Sequence, residues 1–87
     1  MKYVVFYETA PDSMARIAEL FPAHQARWQG YREQGTLLAI GPFGDGSGAM
    51  GVFSTRAAAA EFAAGDPFVL RGVIKNWYIR EWNEALL

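Results

Sequence analysis

The stretch Tyr3-Val-Val-Phe-Tyr-Glu8 decides the fold that this sequence predicts. β-Branched and aromatic residues dominate it, which is typical of a β-strand. Side chains alternate between the two faces of a strand, and here both faces are apolar: Tyr3, Val5 and Tyr7 on one, Val4 and Phe6 on the other. A strand of this kind is predicted to lie centrally in a sheet and to be covered on both sides.

Three further strands and two helices are predicted around this strand. The strands cover Thr36 to Phe43, Ala49 to Ser54 and Val73 to Trp82. A hairpin is expected between the first two of these, because Asp45-Gly46 is a strong turn signal. The five glycines from Gly41 to Gly51 also suggest a phosphate-binding loop, but such a loop must lead into a helix, and this one leads into a strand.

The first helical region allows two interpretations. Asp12 and Ser13 are good helix-start residues, and Gly35 is a good stop. A short helix over Met14 to Leu20 can meet a longer one that begins near Pro22, or a single kinked helix can run through the proline. The sequence does not decide between them.

The second helix is predicted over Arg56 to Ala64. Ser54 or Thr55 would cap its start, and Gly65 would close it as a C′ residue. Asp66-Pro67 then predicts an N-cap and the first residue of a short further turn through Leu70.

The element order is therefore βαββαβ, an α+β arrangement of the ferredoxin-like kind. It predicts an antiparallel four-stranded sheet with both helices on one face. The other face would be bare although it carries large apolar residues, so a second copy of the chain is expected to cover it in a symmetric homodimer.

Composition limits the possible functions. The 87 residues predict one domain over 1–87, with 52% apolar residues and a net charge of −1. No basic cluster favours nucleic acid as a partner, and no apolar run is long enough for a signal peptide or a membrane span. The absence of cysteine excludes thiolate catalysis and cysteine-based metal sites. A cytoplasmic protein is expected.

His24, the only histidine, is the first candidate for chemistry. It shares a helix stripe with Trp28, Tyr31 and Gly35, because residues three, four and seven apart lie on one face. In a helix that starts near Pro22 it lies in the first turn, where the helix dipole favours the neutral imidazole. A carboxylate on the other ring nitrogen would fix its tautomer. A histidine that only packs at the core edge is the alternative.

Other candidates have ordinary structural explanations beside the functional ones. Asp66 can cap a helix and still face a cleft with its second oxygen. Arg27, Arg32 or Arg71 could hold an anionic substrate, although exposed arginines usually only solvate a surface. Tyr7 and Trp77 could line a pocket for a flat ring, although core packing is the commoner role. Glu8 or Asp45 could supply a second acid. No cluster has metal-ligand spacing.

The whole chain resembles the YciI-like (YCII-related) family. The features that match are Met-Lys-Tyr-Val-Val-Phe at the start, Pro22-Ala-His24, Gly41-Pro42, Gly65-Asp66-Pro67-Phe68 and Gly72-Val73. The resemblance implies a ferredoxin-like fold, a dimeric α/β barrel and an active site centred on His24 and Asp66. It also implies that the backbone of Gly41-Pro42 shapes the pocket. Gly41, Pro42 and Phe68 are therefore expected among the substrate-binding residues. Some family members are associated with dehydrochlorination of hydroxylated aromatic rings.

Together these observations predict a small dimeric enzyme without metal or organic cofactor. His24 would act as general acid/base and Asp66 would orient it, with Tyr7, Arg27 and Trp77 among the substrate-binding residues. The reaction would be an isomerisation, an elimination or a dehydrochlorination on a small oxygenated ring or acid. A non-catalytic module that binds a small ligand or serves in an assembly is the alternative.

Overall fold

Strand β1, Lys2–Thr9, lies inside a four-stranded antiparallel sheet. The computed structural model describes residues 1–86. The sequence after Trp82 is expected to form a short tail over 83–87, and its last residue, Leu87, lies outside the described residues. The remaining elements follow in chain order: α1 Met14–Glu33, β2 Leu37–Pro42, β3 Gly48–Phe53, α2 Arg56–Gly65, α3 Pro67–Leu70 and β4 Ile74–Trp82. The predicted βαββαβ order is confirmed, with the turn after α2 appearing as the four-residue helix α3.

The sheet has the strand order β2-β3-β1-β4, and each neighbouring pair is antiparallel. β2 and β3 form the predicted hairpin. In its loop, Gly46 has a φ of 77°, and the Asp45 side chain accepts a hydrogen bond from the Ser47 amide at 2.9 Å. Because this glycine-rich loop leads into β3, it lacks the strand-to-helix geometry of a phosphate-binding loop.

Helix α1 is a single helix with Pro22 inside it, which decides the question that the sequence left open. His24 therefore lies near the middle of the helix and not in its first turn. The prediction that the dipole at the helix start favours the neutral imidazole is wrong, because that effect is confined to the first turn. Gly35 ends the helix as predicted, with a φ of 80°. Ser13 occupies the N-cap position, but its hydroxyl donates to the Ala10 carbonyl at 2.7 Å and does not cap the helix.

Helices α2 and α3 meet at Asp66. Thr55 caps α2 as predicted, since its side chain accepts from the Ala58 amide. The prediction of Gly65 as a left-handed C′ residue is wrong: Gly65 is the last residue of α2 and does not have a positive φ. The chain turns at Asp66, whose extended backbone (φ −67°, ψ 128°) ends one helix and whose side chain caps the next.

The two faces of the sheet differ in what covers them. Side chains that pair across neighbouring strands point to the same face, so Tyr7 and its partner Trp77 share the face that carries the helices. The opposite, open face carries the stacked pair Phe6 and Tyr78, with ring centroids 5.3 Å apart, and the half-exposed Trp82. The predicted arrangement of helices on one side is confirmed, and the homodimer remains a prediction.

No helix within residues 1–86 combines the length and the apolar character needed to cross a membrane.

Candidate functional site

His24 and Asp66 form a buried hydrogen-bonded pair. Nδ1 of the imidazole lies 2.9 Å from Oδ1 and 3.0 Å from Oδ2 of the carboxylate. Asp66 has no exposed surface, and His24 is 8% exposed. Because an ionised carboxylate only accepts hydrogen bonds, Nδ1 is the nitrogen that carries the proton in the neutral ring.

The position of Asp66 follows from local chain chemistry. Pro67 suits the first position of a helix, and the aspartate before it caps that helix by accepting from the Phe68 amide at 3.1 Å. The capping function and the contact with His24 occur together, because the imidazole and the amide approach the same carboxylate from different directions. The sequence had allowed this combination.

Tyr7 is the third member of the cluster. Its hydroxyl donates to Asp66 Oδ2 at 2.6 Å, a short bond of the charge-assisted kind. Burial is the main cause that raises the pKa of Tyr7 far above its ordinary value, and the nearby Asp66 carboxylate adds to it. The phenol therefore stays protonated and acts as a donor.

The second imidazole nitrogen, Nε2, makes no hydrogen bond to any of residues 1–86 and is not closed off in the interior. The ring is held flat against Phe68, with centroids 4.1 Å apart and planes 13° from parallel, and Phe62 meets it edge-on at 6.2 Å. The histidine thus has a fixed plane, one nitrogen bound to Asp66 and the other free.

A cavity of about 240 Å³ adjoins the imidazole. Helix α1 forms one wall, and the other walls come from the sheet and from the segment after α2. Its lining residues are Val5, Tyr7, Thr9, Ile17, Phe21, His24, Trp28, Ile40, Gly41, Pro42, Gly48, Ala49, Met50, Gly51, Phe62, Phe68, Val73 and Ile74. No Lys, Arg, Asp or Glu is among them, so a ligand here meets apolar walls, a histidine and two hydroxyls.

The structure brings most of the predicted site residues together. Tyr7, His24, Gly41, Pro42 and Phe68 all line the cavity. Asp66 is not among the lining residues, but it is hydrogen-bonded to two of them, His24 and Tyr7.

Arg27 and Trp77 are not among the lining residues, against the expectation that they bind substrate. The Arg27 guanidinium donates to the carbonyls of Glu61 and Phe62 at the end of α2, at 2.9 and 3.2 Å. A Cβ at position 65 would overlap the Arg27 guanidinium, which would then have to shift from this position. Trp77 packs against the core from the edge strand β4.

Three large lining residues on α1 were not predicted for the site: Ile17, Phe21 and Trp28. Their spacing with His24 follows the repeat of one helix face, so the signal was present. Trp28 was placed on the stripe of His24 but given no role at the site, and Ile17 and Phe21 were not joined to that stripe because the continuity of the helix through Pro22 was left open.

Among residues 1–86, no three histidine, aspartate or glutamate side chains come close enough to form a metal-binding group.

Comparison with solved structures supports the fold. The 5-chloro-2-hydroxyhydroquinone dehydrochlorinase of Burkholderia phenoliruptrix AC1100, solved with 2,5-dihydroxybenzoquinone, superposes with a TM-score of 0.79 at 17% identity, over 95% of this chain and 94% of that one. Rv0793 from Mycobacterium tuberculosis gives a TM-score of 0.51 at 15% identity, over 98% and 97% of the two chains.

Sequence comparison gives the family. The YciI proteins of Escherichia coli O6:H1 and Shigella flexneri are each 28% identical to this chain over 97 aligned positions, covering 98% of it and 99% of each relative. The YCII-related domain matches residues 1–83, nearly the full length. The chain therefore belongs to the YCII-related family.

Proposed function

We propose that this protein is a small enzyme in which His24 acts as general acid/base and Asp66 orients it. The observation that carries the proposal is the imidazole itself: Nδ1 is bound to a fully buried carboxylate, and the same ring lines an apolar cavity. Asp66 would stabilise the imidazolium that forms when Nε2 takes a proton from a substrate.

Two related reactions follow from such a proton transfer. When Nε2 returns the proton to a different atom of the substrate, the result is an isomerisation. When the electron pair left behind expels a leaving group such as chloride, the result is an elimination, with the proton on His24 and chloride as the second product. Neither reaction needs an organic cofactor or a metal ion. That the enzyme works without either remains part of the proposal.

The cavity favours a particular class of substrate. Flat apolar and aromatic walls suit a single ring, and the volume of about 240 Å³ is below the usual range for drug-sized ligands. Because no cationic side chain lines it, a localised anion such as a carboxylate or phosphate would be desolvated without a partner. We therefore favour a hydroxylated or keto-substituted ring over the small acid that the sequence left possible.

The dehydrochlorinase with the similar fold makes a halogenated hydroquinone a reasonable first substrate to try. At 17% identity that resemblance concerns the fold, so the proposed chemistry depends on the contacts of His24 and Asp66.

The test is His24→Asn, assayed as chloride release from 5-chloro-2-hydroxyhydroquinone. Asparagine keeps a nitrogen donor near the position of Nδ1 but cannot accept a proton. Turnover is expected to fall by about 10²- to 10⁴-fold, the usual contribution of a general base. Binding of 2,5-dihydroxybenzoquinone, followed by calorimetry, is expected to persist.

Glu19→Gln is the matched control, because Glu19 is an exposed residue on the same helix, and it should retain full turnover. Unchanged chloride release in folded His24→Asn would contradict the proposal. Ligand binding by the wild type without turnover of any hydroxylated ring would instead support the alternative, a non-catalytic binding module.

We also propose that a second copy of the chain covers the open face of the sheet. Phe6, Tyr78 and Trp82 form an apolar surface there that a monomer would leave exposed to water. Sedimentation equilibrium is expected to give twice the chain mass of 9.7 kDa, and Tyr78→Glu is expected to shift the protein to monomer. A monomeric wild type at high concentration would contradict this proposal.

A further inference from the structure

Tyr7 belongs to the site for a reason other than lining the cavity. It lies on the central strand β1, and its side chain crosses from the sheet to the helical layer to reach Asp66. Its backbone is fixed, because β3 runs so close that a Cβ on Gly48 would overlap the Tyr7 carbonyl oxygen. The Tyr7 hydroxyl thus comes from a strand that is paired on both sides.

The two carboxylate oxygens of Asp66 are held from different sides. Oδ1 accepts from the Phe68 amide at 3.1 Å, and Oδ2 accepts from the Tyr7 hydroxyl at 2.6 Å. The imidazole Nδ1 faces both oxygens, at 2.9 and 3.0 Å. With one donor fixed to each oxygen, the carboxylate cannot rotate about its last bond without breaking a hydrogen bond in a buried place.

We propose that Tyr7 is a positioning residue whose hydroxyl locks the Asp66 carboxylate and thereby keeps His24 in the Nδ1–H form, with Nε2 unprotonated towards the cavity. Replacing Tyr7 by phenylalanine keeps the ring but removes the hydroxyl, and Asp66 Oδ2 would then have the imidazole as its only donor. The carboxylate would then be free to turn, and water would be drawn in to solvate it. The catalytic importance of Tyr7 rests on the proposed function, whereas its effect on the imidazole does not.

The test is Tyr7→Phe, observed by ¹⁵N NMR of the single imidazole at alkaline pH, where the ring is neutral. The wild type is expected to show one tautomer, with a slowly exchanging proton on Nδ1. In the variant, that proton resonance is expected to shift or to disappear through exchange with water, and the Nε2–H tautomer is expected to become detectable. An unchanged tautomer and an unchanged Nδ1 proton would overturn the proposal.

Tyr31→Phe is the matched control. It also removes the phenol hydroxyl of a buried tyrosine, but that hydroxyl donates to Glu61 in a partly buried place and has no contact with Asp66. Its imidazole spectrum should equal that of the wild type, so a general loosening of the core is separated from a local effect at Asp66.

A second measurement avoids any substitution, in case Tyr7→Phe does not fold. In the wild type, the Tyr7 hydroxyl proton should give a protected low-field resonance with a nuclear Overhauser effect to the His24 Nδ1 proton. Absence of that resonance would overturn the proposal.

Kinetics separates this proposal from the proposed function. Tyr7→Phe is expected to lower kcat about tenfold with little change in KM, which corresponds to the loss of one charge-assisted hydrogen bond. A protein without any turnover would contradict the proposed function and leave the NMR result to stand by itself. A normal imidazole spectrum in Tyr7→Phe would contradict the positioning role even where His24→Asn abolishes turnover.

Discussion

His24 and Arg27 lie three residues apart on α1 and bind the same region, the junction of α2 and α3. His24 binds the side chain of Asp66, which begins α3. Arg27 binds the backbone carbonyls of Glu61 and Phe62, near the end of α2. One helix thus attaches to a single junction through two polar side chains.

The two attachments differ in what they allow. Arginine stays protonated in proteins, and Arg27 donates its hydrogen bonds to backbone carbonyls, which do not change charge. Histidine can take up and release a proton near neutral pH, and His24 keeps one ring nitrogen beside a cavity. A polar contact thus becomes a candidate for chemistry only where the group can change protonation and a substrate can reach it.

The largest predicted effect is on the free energy of unfolding, when the Asp66 contact and the Arg27 contacts are removed in separate variants. Asp66→Ala should lower the free energy of unfolding by about 3–5 kcal/mol, because it leaves His24 and the Tyr7 hydroxyl buried without their partner. Arg27→Met should cost only about 1–2 kcal/mol, since the apolar stem is kept and the freed carbonyls lie at a helix end that water reaches. Urea unfolding of both variants measures the difference.

Asp66→Asn serves as the control for shape, because it retains the cap of α3 and removes the charge. It should fall between the wild type and Asp66→Ala. An equal loss of unfolding free energy in Asp66→Ala and Arg27→Met would contradict this prediction. It would show that losing a buried partner costs no more than losing a partly exposed one.

A smaller effect is predicted at alkaline pH, where two tyrosines can be compared: Tyr7, which donates to Asp66, and Tyr31, whose hydroxyl accepts from Arg27 at 3.4 Å. Burial raises the pKa of Tyr7 and, to a smaller extent, that of Tyr31. Above about pH 10 an unfolded phenol loses its proton while the folded Tyr7 keeps its own, so the unfolded state binds fewer protons. The free energy of unfolding should therefore fall with rising pH, by about 1.4 kcal/mol per pH unit for Tyr7.

Urea unfolding between about pH 9 and pH 11 measures this slope. Tyr7→Phe should reduce this slope by the amount that corresponds to about one proton, and Tyr31→Phe should reduce the slope less. A wild-type free energy of unfolding that stays constant through this range would show that the Tyr7 phenol titrates alike in both states, against its burial beneath Asp66.

Local chemistry was enough to single out the two residues that form the buried hydrogen-bonded pair. His24 stood out as a lone imidazole on an aromatic helix stripe, and Asp66 stood out before a proline. Arg27 was expected at the substrate because arginines suit anions. Its helix position could be estimated from the sequence, but its partners are carbonyls that come from a helix 34 and 35 residues further along the chain.

Three features were therefore open to sequence reasoning alone: the element order, the alternation of β1, and the turn residues Gly35 and Gly46. They depend on contacts between near neighbours and on the steric limits of each backbone position. Tertiary structure alone decided that α1 runs unbroken through Pro22, that Arg27 binds the carbonyls of α2, and that the Tyr7 hydroxyl joins the His24–Asp66 pair. Such contacts join residues up to 59 positions apart, and their geometry depends on how the helices pack on the sheet, which no local pattern specifies.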